Sequence, residues 1–339
     1  MTFIENKIIE IKRDFERNDE LVTAQKVVDA FLENSNTANI PLIKFMDGVV
    51  AQICNLNKQY SEGTQKNYRT TLKYVTDYLK RSKLDDIRLK QFGLREIEAF
   101  HTHMMNRINP ILGKSLSRNG ANKHHERLRA IFNKAYQQEL IESNPYARFK
   151  LKHDKVHKVF LTTEELELIE NHSLGGNESL PRVRDVFMFS VYTGLRYKDA
   201  LELKEKDVVK DKKGQFWITI KQEKTNEFLR VPMMDRAKKI YQKYSGLRVL
   251  TKKVLPPMAN QRVNTNLKVI AELTGITKNL THHVARHTFA TTITLSNNMP
   301  IEIVSKMLGH SSLRSTQIYA KITNDYLAEH IDQLNQKLK

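Results

Sequence analysis

Six side chains in the second half of the chain could do chemistry on a phosphate: Arg196, Lys224, His283, Arg286, His310 and Tyr319. His283 and Arg286 are three residues apart, so on a helix they share a face and can point at one target. An arginine fork matches phosphate oxygens in pairs, an imidazole donates hydrogen bonds or moves a proton, and a phenol can act as a nucleophile. Each residue also has a bland reading. A lone arginine is a surface charge by default, a lysine on a turn is solvated, and most tyrosines pack in a core. Tyr326 is the rival nucleophile, though its place fits the apolar face of a last helix. His282 and His287 read as structural or solvent-facing. His283 and His287 have the spacing of metal ligands, but no Glu follows His283 and no third ligand is at hand, so neither metal nor cofactor is expected.

Elements that could position these residues follow from the pattern around them. Val183 to Tyr192 (VRDVFMFSVY) reads as a buried helix, and Gly194 after it frees the backbone for a turn, leaving Arg196 at the mouth of a short helix from Tyr197 to Leu203. Phe216-Trp217-Ile218-Thr219-Ile220 and Phe228-Leu229-Arg230-Val231-Pro232 are β-branched and aromatic, and predict a hairpin with Lys224 near its tip. Thr162 or Thr163 ahead of Glu164-Glu165 marks a helix start. Further helices are expected from Asp235 to Tyr244 and from Gln261 to Leu273. Met299-Pro300-Ile301 with Val304, Met307 and Leu308 reads as core. The pattern after Tyr319 (Leu327, Ile331, Leu334) is too short to bury its own apolar face.

The first half reads differently. Residues 40–148 carry helical apolar stripes: Leu42, Phe45, Met46, Val49, Val50 and Ile53; then Tyr68, Leu72, Val75 and Leu79, with Thr64 as N-cap; then Leu128, Ile131, Phe132 and Ala135. Basic residues lie between them. Lys66, Arg69, Lys73, Lys123 and Arg127 are candidates to face DNA, although any single lysine is more simply a solvated charge. Asn144-Pro145 ends this helical unit. Residues 149–159, rich in Lys and His, read as an exposed connector whose Lys152 and Lys155 could follow a phosphate backbone. Ahead of the unit, Ile4, Ile8, Ile11 and Phe15 form one stripe, and Val27, Val28, Ala30 and Phe31 a second cluster.

Composition bounds the partner. With 56 Lys and Arg against 38 Asp and Glu over 339 residues, the formal charge is +18, which points to a polyanion, nucleic acid first. Charge alone would also fit a merely basic protein. The single cysteine, Cys54, excludes an intramolecular disulfide and is expected in a helix core. Neither a secretory pattern nor an apolar run of about 18 residues is present, so a cytoplasmic protein without a membrane partner is expected.

Thr193-Gly194-Leu195-Arg196, Lys224, His283-x-x-Arg286, Leu308-Gly309-His310 and Tyr319, in that order, resemble the tyrosine recombinase (phage integrase) family. The resemblance covers about residues 160–339, and more loosely the helical unit before it. It implies a mainly α fold with a small antiparallel β-sheet in the catalytic domain, arranged as a two-domain DNA clamp. The expected domains are 1–38, similar to the end of an arm-DNA-binding domain; 39–148, a SAM-like core-binding domain; 149–159, a basic linker; 160–322, the catalytic domain; and 323–339, a tail helix exchanged between subunits. Asp199 stands where relatives often carry Glu, and its implied job is to orient its neighbours.

By the same resemblance, Tyr319 attacks the scissile phosphate, Arg196 and Arg286 hold the non-bridging oxygens, and Lys224 protonates the leaving 5′ oxygen. His283 assists proton transfer, and His310 donates to a phosphate oxygen. The implied partners are double-stranded DNA at attachment sites, a Holliday junction, further copies of the chain forming a tetramer, and a DNA-bending protein. The implied activity is integration and excision of a prophage or conjugative transposon. A type IB-like topoisomerase and an architectural DNA-binding protein with a silent site are the alternatives.

Overall fold

The computed structural model describes residues 3–17, 21–30, 40–56, 59–108, 113–156, 158–176, 178–223, 227–319, 331 and 335. The chain divides into two compact units, Met1–Lys155 and Val156–Lys339.

In the first unit, α1 (Phe3–Arg17) and a helical stretch α2 at residues 24–30 precede four further helices: α3 (Leu42–Asn55), α4 (Glu62–Arg81), α5 (Leu94–Asn106) and α6 (Arg118–Gln137). On α3, Leu42, Met46, Val49 and Ile53 recur at helical spacing, and all four are buried, against Val75 and Leu79 of α4, Phe100 of α5 and Leu128 and Phe132 of α6. Each such side chain contributes about 1.5–3 kcal/mol on leaving water. Ser61, rather than Thr64, caps α4: its extended backbone lets its hydroxyl accept from the Thr64 N–H at 3.3 Å. Ser117 caps α6 in the same way. On α1, Ile11 is buried while Ile8 is exposed, and Cys54 is half-buried on α3 instead of lying in the core. The core is also polar in places. His125 is fully buried, its Nδ1 3.0 Å from the Tyr146 hydroxyl and its Nε2 3.1 Å from His101 Nδ1.

The second unit is built round α8 (Ser179–Thr193), which is apolar on most of its surface and is packed by α10 (Asp235–Lys243), α12 (Asn260–Leu273) and α13 (His282–Thr288). Before it, α7 (Thr163–Asn171) begins with a capping box between Thr162 and Glu165. After it come α9 (Tyr197–Glu202) and a three-stranded antiparallel sheet in the order β1 (Val208–Lys210), β2 (Phe216–Lys221), β3 (Phe228–Pro232). Ile218 pairs with Val208 and Val231, and Ile218, Leu229 and Val231 turn inward. A short α11 (Ser245–Thr251) follows α10. A π-helical turn at Phe289–Thr294 follows α13, and α14 (Ile301–Leu308) and α15 (Arg314–Gln317) close the described chain. The expected tail helix lies outside the described residues, apart from Ile331 and Asn335. Among the described residues no helix is long and apolar enough to cross a membrane.

Candidate active site

The site starts where α8 stops. Gly194 takes the left-handed conformation, φ +69°, and its N–H closes the helix onto the Ser190 carbonyl. The chain then turns into α9 with Arg196 as the extended residue before it. Asp199, in the first turn of α9, is buried, and its Oδ2 lies 3.8 Å from Arg196 Nη1. Its Oδ1 accepts the Glu223 N–H at 3.1 Å, which pins the chain just beyond β2. Arg196 Nη1 and Asp199 Oδ2 are both buried, and neither has a hydrogen-bond partner among the described residues. An arginine held this way keeps donor capacity for an incoming anion.

Helix α13 supplies the second arginine. Arg286 is almost fully buried and donates from Nη1 to the Gly194 carbonyl at 2.8 Å and from Nη2 to the Leu308 carbonyl at 2.6 Å, tying the end of α8 to the end of α14. Burial pulls its pKa down to about 10, helped by the charge of Arg196 and opposed by Tyr319 and Asp199. It stays a cation at neutral pH. His283 lines a cleft of about 350 Å³ together with Arg196, Asp199 and Asn264. His282 is buried, with Nε2 3.1 Å from the Ser190 hydroxyl and its backbone N–H on Asn264, so it serves the scaffold.

The third part comes from the end of α14. Gly309 is left-handed, φ +62°, and sits against the buried side chain of Gln222, whose Nε2 donates to the Leu308 carbonyl at 3.3 Å. The His310 N–H returns to the Ser305 carbonyl, and its Nδ1 lies 2.8 Å from Thr316 Oγ1. Burial, reinforced by Arg286 and Arg196, lowers the His310 pKa to about 4. Just past α15, the Tyr319 N–H bonds the Thr316 carbonyl and the side chain turns inward until it is 8% exposed. Its ring stacks near His310, centroids 6.5 Å apart. Burial raises its pKa, while Arg286 and Arg196 act the other way.

Arg196, Asp199, His283, Arg286, His310 and Tyr319, distant in sequence, thus gather in one place. Lys224 lies outside the described residues. Of the two readings of His287, structural or solvent-facing, its burial excludes the second. His287 Nδ1 is 3.0 Å from the Tyr319 hydroxyl, and the His283 ring packs edge-on against the His287 ring at 4.4 Å. The signal was its spacing of four from His283, which aims both rings the same way.

The DNA-facing candidates of the first unit separate into kinds. Lys66, Arg69 and Lys73 are exposed on α4 at a spacing that shares one face. Lys123 is exposed but paired with Glu126 at 2.7 Å. Arg127 is half-buried and donates to Thr71 Oγ1 at 3.3 Å, bridging α6 to α4. Lys152 and Lys155 are exposed, yet the connector is not loose. Asn122 Nδ2 donates to the Lys152 carbonyl, Asn119 bonds the Asp154 backbone in both directions, and Arg118 pairs with Asp154 at 2.6 Å.

The family model of the phage integrase family matches residues 151–325, and that of the phage integrase SAM-like domain matches residues 41–153. The chain belongs to the phage integrase family. As a tyrosine recombinase it is a DNA recombinase by class. It is 26% identical over 295 residues to the tyrosine recombinase XerC of Leptospira interrogans, covering 81% of this chain and 88% of that one. It is 29% identical over 230 residues to the XerC of Bacillus licheniformis, covering 63% of this chain and 74% of that one. Its fold is similar to a lambda integrase dimer bound to a core site (TM-score 0.68, 17% identity, 84% of this chain and 97% of that one). It is also similar to the Tn1549 transposon integrase in complex with transposon right end DNA (TM-score 0.64, 18% identity, 87% of this chain and all of that one).

Proposed function

We propose that this recombinase is site-specific, and that it cuts and rejoins DNA through a 3′-phosphotyrosyl intermediate to integrate or excise a mobile element. The observation that carries the reading is the Tyr319 hydroxyl, held inside its own subunit within the electrostatic reach of both Arg196 and Arg286. In this reading Tyr319 Oη attacks the phosphorus and the 5′ oxygen departs, so the bond energy is stored and no nucleotide cofactor is needed. Arg196 and Arg286 hold the non-bridging oxygens as their charge grows, and His310 donates to one of them. Lys224 protonates the departing oxygen. In this reading attack is in cis, which the contact of the phenol with His287 of its own chain supports.

Exchange between two duplexes then takes four protomers, each cutting one strand, with a DNA-bending partner shaping the site. The likeness to an integrase solved on transposon right end DNA supports the mobile-element reading. A nicked suicide substrate tests the chemistry: wild type accumulates a covalent adduct and Tyr319→Phe forms none. Adducts from Tyr319→Phe would end the proposal. Relaxation of a supercoiled plasmid that lacks any attachment site would replace it with a topoisomerase.

A further inference from the structure

Among the described residues, the Tyr319 hydroxyl is in hydrogen-bond contact with one imidazole, and it is not that of His283 or His310. His287 Nδ1 is 3.0 Å from it. His283 packs on the His287 ring, and His310 Nδ1 is engaged by Thr316 Oγ1. We propose that His287 is a further catalytic residue, accepting the phenol proton as Tyr319 attacks and returning it when the strands rejoin. The proposal rests on Tyr319 being the nucleophile.

The step balances. The Oη–H bond breaks as its proton passes to Nδ1, the Oη–P bond forms, and the P–O5′ bond breaks with its electron pair on oxygen, which takes a proton from a separate donor. His287 ends as imidazolium. On rejoining, the 5′ hydroxyl returns its proton to that donor as it attacks, the P–Oη bond breaks, and Nδ1 gives its proton back to the departing tyrosine oxygen. One group therefore serves both directions, as reversibility demands.

The surroundings keep the ring neutral until the substrate arrives, so the geometry carries the proposal and the phosphate anion must offset the imidazolium. Among the described residues, the charged and titratable groups facing the ring are His283 and Arg286 on its own helix, Lys158 from the segment ahead of α7, and Tyr319 itself. Burial and these cationic neighbours bring the His287 pKa to about 4, so the free ring is neutral at neutral pH with a lone pair to offer. A proton taken up there is readily given back, and an arriving phosphate anion offsets the imidazolium while it lasts.

The test is single-turnover cleavage of the nicked suicide substrate by the full chain, comparing wild type, His287→Asn and His287→Gln, each also carrying 3,5-difluorotyrosine at position 319. An amide can still hold the phenol but cannot take its proton. Both variants should bind DNA normally and cleave about 100-fold slower or worse. The more acidic fluorinated phenol should recover at least about tenfold of that loss while changing wild type little, because it needs less help to ionise. A 5′-bridging phosphorothiolate, which removes the need for a leaving-group acid, should not rescue them. Amide variants that cleave within about threefold of wild type, that stay slow with the fluorinated phenol, or that lose DNA binding together with cleavage would overturn the proposal. Tyr319→Phe in the same assay separates the two readings: adducts from it would remove the nucleophile whatever His287 does.

Discussion

A Cβ placed on Gly309 would lie 2.7 Å from the side-chain oxygen of Gln222, so the glycine is what lets the glutamine reach the Leu308 carbonyl as it does. Gly194 shows the same relation to the ring of Phe289, also at 2.7 Å. Both glycines are left-handed, which costs another residue about 1–2 kcal/mol. They differ in what must give way. Gln222 can swing aside at the loss of its bond to the Leu308 carbonyl, a net of about 1 kcal/mol. Phe289 is fully buried and cannot move without repacking, at about 1–3 kcal/mol more. Gly309→Ala should therefore lose about 2 kcal/mol and Gly194→Ala about 3 kcal/mol or more, read by urea unfolding through the single tryptophan, Trp217. Equal losses would show that the Phe289 ring yields as easily as Gln222.

Asp199 serves two partners, and substitutions tell them apart. Asp199→Ala removes both the charge beside Arg196 and the acceptor for the Glu223 N–H. Asp199→Asn keeps an oxygen for the backbone bond. One tether of this kind is worth about 1 kcal/mol, so Asp199→Ala should cleave about 5–10-fold more slowly than Asp199→Asn. Neither should weaken DNA binding, since each deletes a negative charge. Identical cleavage rates in the two variants would show that the Glu223 tether contributes nothing.

The elements that carry these residues differed in how far the sequence disclosed them. Gly194 and the three-residue spacing of His283 and Arg286 are local signals, readable because backbone conformation and helical period are local. Individual helices and the β2–β3 hairpin were legible in the residue pattern, while the mainly α architecture with a small sheet was what the family resemblance implied. Strand β1 was not legible: at three residues it has no alternation to read, and only pairing with β2 defines it. Helix α11 was hidden because its one buried residue is Arg248, so it carries no apolar stripe. The contact of His287 with Tyr319 needed the third dimension, because 32 residues separate them. The grip of Asn119 and Asn122 on the connector was invisible for the same reason.

Acid should loosen the first unit. Burial, with charged neighbours adding to it, lowers the pKa of His125 to about 3 and of His124 to about 4, against a usual 6.5. Above 6.5 both rings are neutral folded or unfolded, and titration favours neither state. Below it the unfolded chain binds protons that the folded rings refuse, so stability falls from about pH 6.5 towards the folded values. The loss is about 2 kcal/mol per ring by pH 5. Hydrogen exchange of α6 amides, followed between pH 7 and 5 with intrinsic rates corrected, should show shrinking protection. His125→Gln should flatten that dependence even if it starts less stable. Protection independent of pH down to 5 would mean the rings take up protons in place.

Salt should sort the basic candidates of the first unit by what each already holds. Every phosphate contact steepens the fall of log K with log salt by about 0.9. Lys66, Arg69 and Lys73 are exposed on one face of α4, so replacing all three with alanine should flatten the slope by about 2.7 if each meets a phosphate. Lys123 is neutralised locally by Glu126 and should account for less than one contact. Arg127 differs again, because its guanidinium bridges to Thr71 between α6 and α4. Arg127→Ala should cost stability, about 1 kcal/mol, along with any change in binding. Filter binding from 50 to 300 mM salt, beside unfolding curves for the same proteins, separates the three cases. A triple variant with an unchanged slope would turn the DNA-facing role away from α4.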